Sequence, residues 1–429
     1  MFSHPMSRRR FVEAVLPAIA VMAATARRLA AADRDGEREL RSRIRGLLLG
    51  SFIGDAVGGP VEFQDPDLVR GLANAPHAWG PDERLDNHAI SATAARLRLR
   101  GYGELRPEPE PYAHWTANAP PGTITDDSRH KLILLAALHE AERSDRWPLD
   151  RETLARAFLD WPQSRAATRT ADTRRLCAAW LGEWESVARW VLGDRDPARS
   201  LPPERMWGGL PTCCGQMSLL PLAALHTGDP DAAYRHAYEL GFFDNGFGKD
   251  LNCALVAGLA VALTLPAKQA ASGAGWDRVL NAMRTTDPYA YGKVPWVKRT
   301  VDRWLDFTRE TLERADGRPA RVFADLDDAF RDTIKWEAQV PFVVAVAALS
   351  LCPRDPLAAL QLSIEWGHDT DSYAQIVGGF VGALHGGEVF PAEMRAAVLT
   401  RVRDEYAVDV EQEADWLVAR GSKALGPAV

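Results

Sequence analysis

Between residues 46 and 63 the chain reads GLLLGSFIGDAVGGPVEF. Glycine recurs at every fourth position, as Gly46, Gly50, Gly54 and Gly58. That spacing places the four near one face of a helix. Each glycine costs a helix about 1 kcal/mol against alanine. A whole stripe therefore implies a compensating gain, most simply the close approach of another backbone. Near the other end the chain reads GHDTDSYAQIVGGFVGALHGG, Gly367 to Gly387. Gly378, Gly379, Gly382 and Ala383 again permit tight packing. A third stretch, GTITDDSRHKLILLAALHEAE from Gly122 to Glu142, turns apolar almost all round after a polar start, the mark of a buried helix.

Helical periodicity dominates the remainder. It predicts helices over roughly 40–58, 84–100, 127–143, 151–160, 172–192, 216–227, 230–240, 249–264, 276–284, 296–314, 326–350, 355–364, 371–385 and 391–420. Alternating strand runs bounded by turn pairs are nearly absent. The fold class expected is all-α, with short connections. Two stretches read as loops or excursions, Gln64 to Pro121 and Pro266 to Arg321. With 429 residues, 46% hydrophobic, a large core is available. A formal net charge of −7 gives no sign of a nucleic-acid partner.

The first residues read as a leader, not as part of the fold. Ser7-Arg8-Arg9-Arg10-Phe11 precedes a short apolar run, and Ala24-Thr25-Ala26 and Ala30-Ala31-Ala32 offer small-x-small cleavage sites. The paired arginines are of the twin-arginine type. Residues 1–32 are expected to be a signal peptide, the mature domain to span 40–425, and the protein to be periplasmic or secreted, with no stable membrane association after cleavage. The five cysteines, Cys177, Cys213, Cys214, Cys253 and Cys352, form no disulfide framework and read as small buried residues.

Each of the three tight helices carries acids at one end: Asp55 and Glu62, then Asp126 and Asp127, then Asp369 and Asp371. Any one of these motifs alone reads as helix capping. Jointly they place at least four carboxylates in one cleft if the ends converge. Crowded carboxylates cannot all stay ionised without compensation. A helix N-terminus contributes only ~0.3–1 kcal/mol per acid. Hard divalent cations, which take oxygen from Asp, Glu, Thr and Ser, meet the need. Oxygen-only ligation points to Mg²⁺ or Mn²⁺ rather than zinc. Two clusters suit two such ions, with bridging carboxylates.

With these motifs in order, the sequence resembles the ADP-ribosylglycohydrolases, including the dinitrogenase reductase activating glycohydrolases. The resemblance rests on Gly54-Asp55-Ala56-Val57-Gly58-Gly59-Pro60-Val61-Glu62-Phe63, on Thr125-Asp126-Asp127-Ser128, and on Gly367-His368-Asp369-Thr370-Asp371-Ser372. It implies a single-domain orthogonal helical bundle around a dinuclear Mg²⁺ or Mn²⁺ cleft. It also implies hydrolysis of an N- or O-glycosidic bond of ADP-ribose or a related riboside, small or protein-linked. By this resemblance Thr125, Asp126, Asp127, Asp369, Asp371 and Ser372 ligate metal. Glu62 or Asp127 would orient or deprotonate water, and Gly215 and His368 would face substrate. Asp55 is expected to be a structural partner of the glycine-rich turn.

There are departures. The family's G-x-x-M-R-x-x-P-L segment corresponds to Gly215-Gln216-Met217-Ser218-Leu219-Leu220-Pro221-Leu222, with Ser218 where Arg is usual. The later T-H pair is replaced around Phe243-Asp244-Asn245-Gly246, which reads as a turn. These changes weaken the case for a protein-linked ADP-ribosyl substrate and leave another riboside open. Trp115 and Trp207 are candidates to stack a base, although core packing is the commoner role of Trp. The alternatives are a non-catalytic ligand-binding protein that kept the fold, disfavoured by the full set of ligands, and a phosphoesterase, disfavoured by the lack of a basic clamp.

Overall fold

The structure is a computed structural model that describes residues 36–64, 80, 82–85, 97–102, 119–164, 181–293, 295–353 and 355–424. Among these residues regular structure is helical, apart from one isolated antiparallel bridge between Thr212 and Glu337. The chain runs through α1 (36–58), α2 (Asp126–Arg143), α3 (Arg151–Asp160), α4 (Gly182–Val191), α5 (Cys214–Ser218), α6 (Leu222–Leu225), α7 (Pro230–Leu240) and α8 (Gly246–Ala262). It continues with α9 (Ala267–Ala270), α10 (Gly273–Thr285), α11 (Thr300–Ala315), α12 (Pro319–Ala329), α13 (Gln339–Leu351), α14 (Pro356–Glu365), α15 (Thr370–His385), α16 (Ala392–Tyr406) and α17 (Val410–Ala424).

The glycine stripe meets its partner in α15. A Cβ on Gly46 would overlap the Gly382 carbonyl, one on Gly50 that of Gly378, one on Gly54 that of Ala374, and one on Gly58 that of Thr370. Each step of four along α1 is matched by a step of four back along α15, so the two helices run antiparallel in strict register. The approach is reciprocal, since Gly378 and Gly382 face the carbonyls of Gly50 and Gly46. Thr370 Oγ1 donates to the Gly58 carbonyl at 2.8 Å and fixes the end of the register. The register thus sets the end of α1 beside the start of α15, which is where both carry their acids.

α15 is buried from Thr370 to Leu384 and packs against α2, α5, α8, α13 and α14. Buried glutamines tie the layers together. Gln375 Nε2 donates to the Gln216 carbonyl at 3.0 Å, and Gln216 Nε2 donates to Ala338 O at 2.8 Å. Buried polar side chains need such partners.

Several predicted helices break, for local reasons. The stretch 326–350 is two helices, because Phe330 to Ala338 leave the helical path and Trp336 to Ala338 pair with Pro211 to Cys213. Cys213 N donates to Trp336 O at 3.0 Å and Ala338 N to Pro211 O at 2.8 Å. The stretch 391–420 breaks at Ala407, which is left-handed at φ 57°, and Asp409 accepts from the Glu411 and Gln412 amides beyond it. The stretch 216–227 breaks around Pro221 between α5 and α6. Thr300 starts the helix expected from 296, and Gly182 starts the described part of that expected over 172–192. Residues 97–100 are not helical, and 86–96 lie outside the described residues. The presumed excursion from Pro266 to Arg321 is largely helical, as α9, α10, α11 and the start of α12. Most of Gln64 to Pro121, the leader at 1–32, Trp115 and Cys177 lie outside the described residues. Cys213, Cys214, Cys253 and Cys352 are buried and free. No described helix is long and apolar enough to cross a membrane.

Candidate metal centre

Asp55 lies in the last turn of α1 and is wholly buried. Both its oxygens accept from the Thr125 amide, at 3.0 and 3.1 Å, and Oδ2 also accepts from the Ser128 amide at 3.1 Å. The partner expected for Asp55 was its own glycine-rich turn. Instead it binds the start of α2, where helix amides lack intrahelical acceptors. Thr125 caps the same helix, its Oγ1 accepting from Asp127 N at 3.2 Å. Thr125 thus caps the helix that carries Asp126 and Asp127. Arg129 steadies the turn by donating to Ile124 O at 2.9 Å and Tyr406 Oη at 2.8 Å.

The acids converge. One carboxylate oxygen from each of Glu62, Asp369 and Asp371 lies within 4.8 Å of the other two. The same holds for Asp126, Asp127 and Asp371. Asp371 belongs to both groups, so two cation positions would share it. Ser372 Oγ donates to Asp127 Oδ2 at 3.5 Å. Asp127 Oδ1 and Asp369 Oδ2 are buried without a hydrogen-bond partner. Orphaned buried oxygens in a carboxylate cluster match the donor set of a hard divalent cation. The residues present therefore fit such an ion.

Electrostatics agree. Burial, then the charge of Asp371, pushes the Asp127 and Asp369 carboxyls well above the usual range. Burial, then Asp55 and Asp126, pushes Asp371 up to about 7. Behind the cluster lies a residue that the sequence reading missed. Lys131 is fully buried one helical turn beyond Asp127, and its Nζ donates to Asp127 O at 2.9 Å. Burial lowers its ammonium to about 8, against the pull of Asp127 and Asp55. Its spacing of four from Asp127 was the available signal.

These acids open into a cavity of about 260 Å³. Its walls include Cys213, Cys214, Met217, Trp184, Trp207 and Trp336, with Phe63 at the rim. Trp184 is held by stacking on His130, with ring centroids 4.0 Å apart, and on Phe158 at 5.0 Å. Phe63 and Trp336 meet edge to face at 5.9 Å. Two larger grooves, of about 450 and 540 Å³, lie between α2 and α3 and between α10 and α11, away from both carboxylate groups.

Gly215 and His368, which the resemblance implies would face substrate, are not among the residues that line the carboxylate cavity. Gly215 sits behind the lining, its amide bonded to Asp244 at 2.8 Å, and a Cβ there would overlap Asp244 Oδ2. The Phe243 to Gly246 segment does turn before α8, yet its Asp244 is buried and raised to about 7 by that burial. His368 is left-handed, its carbonyl accepts from Phe63 N at 2.6 Å, and its ring packs on Trp366. It positions the rim rather than lining the cavity. Ser218 is buried and donates to Cys214 O at 3.0 Å, turned back on its own helix. Trp207, 39% exposed, does line the cavity, as one of the two candidate stacking residues.

No curated protein matches the sequence. The family model described as ADP-ribosylglycohydrolase matches residues 36–424, which takes in α1 through α17 and every acid of the cluster. The chain belongs to the ADP-ribosylglycohydrolase family, metal-dependent glycosyl hydrolases that act on ADP-ribose-like substrates.

Proposed function

We propose that this protein hydrolyses the glycosidic bond at C1′ of ADP-ribose or a related riboside with two divalent cations, Mg²⁺ or Mn²⁺. The observation that carries this reading is the pair of carboxylate groups meeting at Asp371. Asp126, Asp127 and Asp371 would hold one ion and Asp369 and Asp371 the other, with Thr125 and Ser372 beside them and the Glu62 carboxylate facing the second. Ions so held supply Lewis acidity toward water and chelation of the ribose hydroxyls.

The chain's own residues do the rest. Glu62 sits half-buried at the cavity edge, while Asp127 faces inward toward Ser372. Glu62 is thus the carboxylate that best accepts a proton from an attacking water. The remaining negative charge stabilises an oxocarbenium-like sugar. Release of ribosyl product from ADP-ribosylated side chains, O-acetyl-ADP-ribose and nucleosides, with and without Mn²⁺, tests this. Glu62→Gln should retain both ions and lose at least about 100-fold in kcat. Turnover in the presence of chelator would sink the metal-dependent reading. We further propose that residues 1–32 direct twin-arginine export. Replacing Arg8 and Arg9 with Lys should strand the precursor inside the cell, and normal export of that variant would refute it.

A further inference from the structure

Four aromatic rings line the carboxylate cavity, and they are used differently. Trp184 is 2% exposed and stacks on His130 and Phe158, as a core ring does. Phe63, Trp207 and Trp336 line the same space yet stay 37%, 39% and 40% exposed. Three large rings left open around one cavity mark a binding surface. Their backbones, by contrast, are held. Phe63 and Trp207 are left-handed, at φ 52° and 50°, a conformation rare for bulky residues and concentrated at ligand clamps. Phe63 N donates to His368 O at 2.6 Å, Trp207 N to Glu183 Oε2 at 2.7 Å, and Trp336 O accepts from Cys213 N at 3.0 Å. Rings preset in this way lower the cost of ordering on binding.

We propose that the leaving group of this hydrolase is a planar nitrogen heterocycle, joined to C1′ through nitrogen and stacked on Trp207, with the Phe63–Trp336 pair beside it. The inference rests on the glycosidic reading of the site and names the group which that reading leaves open. It makes no demand on the 5′ substituent. With the ribose hydroxyls on the carboxylate floor, the C1′ substituent falls against the wall. The cavity of about 260 Å³ is smaller than the ~300–1,000 Å³ of drug-sized sites, so it suits a pentose with one flat ring system. A flat heterocycle offers a π face to an indole, which an ester or an alkyl chain does not. Water adds to C1′ as the C1′–N bond breaks, and the electron pair of that bond returns to the ring nitrogen. Glu62 takes the water proton and passes it to solvent when the heterocycle is cationic, or to the departing nitrogen when it is neutral.

The full chain loaded with Mn²⁺ is assayed on two sets of compounds. Nicotinamide riboside and adenosine carry flat N-linked rings at C1′. Methyl riboside, O-acetyl-ADP-ribose and ADP-ribosylarginine do not. Trp207→Ala should raise KM for the heterocyclic pair about fivefold to 100-fold, and KM for the others by less than about twofold. Trp207→Phe should restore most of the loss. Trp296→Ala, at a ring 84% exposed and outside the cavity lining, should change neither set. Binding is also read without turnover. Nicotinamide riboside should quench the tryptophan fluorescence of Glu62→Gln, and quench it less once Trp207→Ala is added. An equal rise in KM for both sets in Trp207→Ala, or turnover confined to the compounds without a flat ring, would overturn the inference and leave the glycohydrolase standing. No turnover of any compound, with or without Mn²⁺, would overturn both readings.

Discussion

The carboxylate floor of the cavity is positioned by backbone, whereas its wall is positioned by side chains and one short backbone pairing. On the floor, Asp55 holds the Thr125 and Ser128 amides, Thr370 holds the Gly58 carbonyl, and the glycines lock α1 to α15. In the wall, five-residue α5 and the connection bearing Trp336 are joined through Cys213 N and Trp336 O. Phe63 and Trp336 are 37% and 40% exposed at the rim. The difference teaches where change is tolerated. Moving the floor moves backbone, while moving the wall moves rings that solvent already reaches.

The largest expected effect tests the floor. Gly378→Val would drive a side chain into the Gly50 carbonyl, and Gly50→Val into that of Gly378. Overpacking commonly costs ~1–3 kcal/mol, and here the obstacle is backbone, so each variant should lose at least ~3 kcal/mol in urea unfolding. Trp336→Ala, in the wall, should lose about 1 kcal/mol. Equal losses for the two regions would break the comparison.

Next comes the division of labour within the floor. Asp371→Ala should remove both ions, because Asp371 belongs to both groups, whereas Asp126→Ala should remove one. Activity should fall by at least about 1,000-fold for Asp371→Ala. Manganese counted by atomic absorption in each purified variant checks this. Equal losses from both variants would show that the ions do not share Asp371.

The same contrast governs what was legible in the sequence. The floor could be read because each part is contiguous: glycine every fourth residue, and acids at the start of an apolar helix. Even there the specific partner was hidden. That Asp55 holds the Thr125 turn depends on where α1 ends against α2, which periodicity does not encode. The wall was misread because its key element contradicts local pattern. Residues 326–350 are helical by periodicity, and only pairing with Pro211 to Cys213, far away in sequence, breaks them and places Trp336 at the cavity. Lys131 hid inside an apolar run, and its place behind the cluster could not be read until the ends of α1, α2 and α15 were together.

A smaller effect concerns pH. An unfolded aspartate titrates near about 3.9. Asp371 in the folded chain titrates at about 7, and Asp127 and Asp369 well above their usual value. Between those values the metal-free folded chain holds protons that the unfolded chain has released. Stability is then fully present below about pH 4 and is lost as pH rises through about 7. The Tm of chelator-treated protein should fall from about pH 5 to about pH 8, and Mn²⁺ should raise it more at the higher value. Asp371→Asn should flatten the slope. A Tm that rises over this interval would show the cluster to be ionised without metal.

The smallest expected effect belongs to Ser218, and it decides whether the wall holds phosphate at all. An arginine at this position would offer a charge-assisted bond to a ligand diphosphate, worth ~1.5–3 kcal/mol or about one to two decades in affinity. Ser218 instead spends its hydroxyl on Cys214 O, and no Arg or Lys lines the cavity among the described residues. Ser218→Ala should therefore change KM by less than about twofold, within the ~0.5 kcal/mol expected for a side chain that touches no ligand. If the floor alone holds the ribose, ADP-ribose and ribose 5-phosphate should bind the metal-loaded protein within about two decades of each other. Titration calorimetry with both ligands measures this. ADP-ribose tighter by several decades would place a cation over the diphosphate from another part of the chain. The wall would then discriminate by charge as well as by its rings, and ADP-ribosyl conjugates would become the leading substrates.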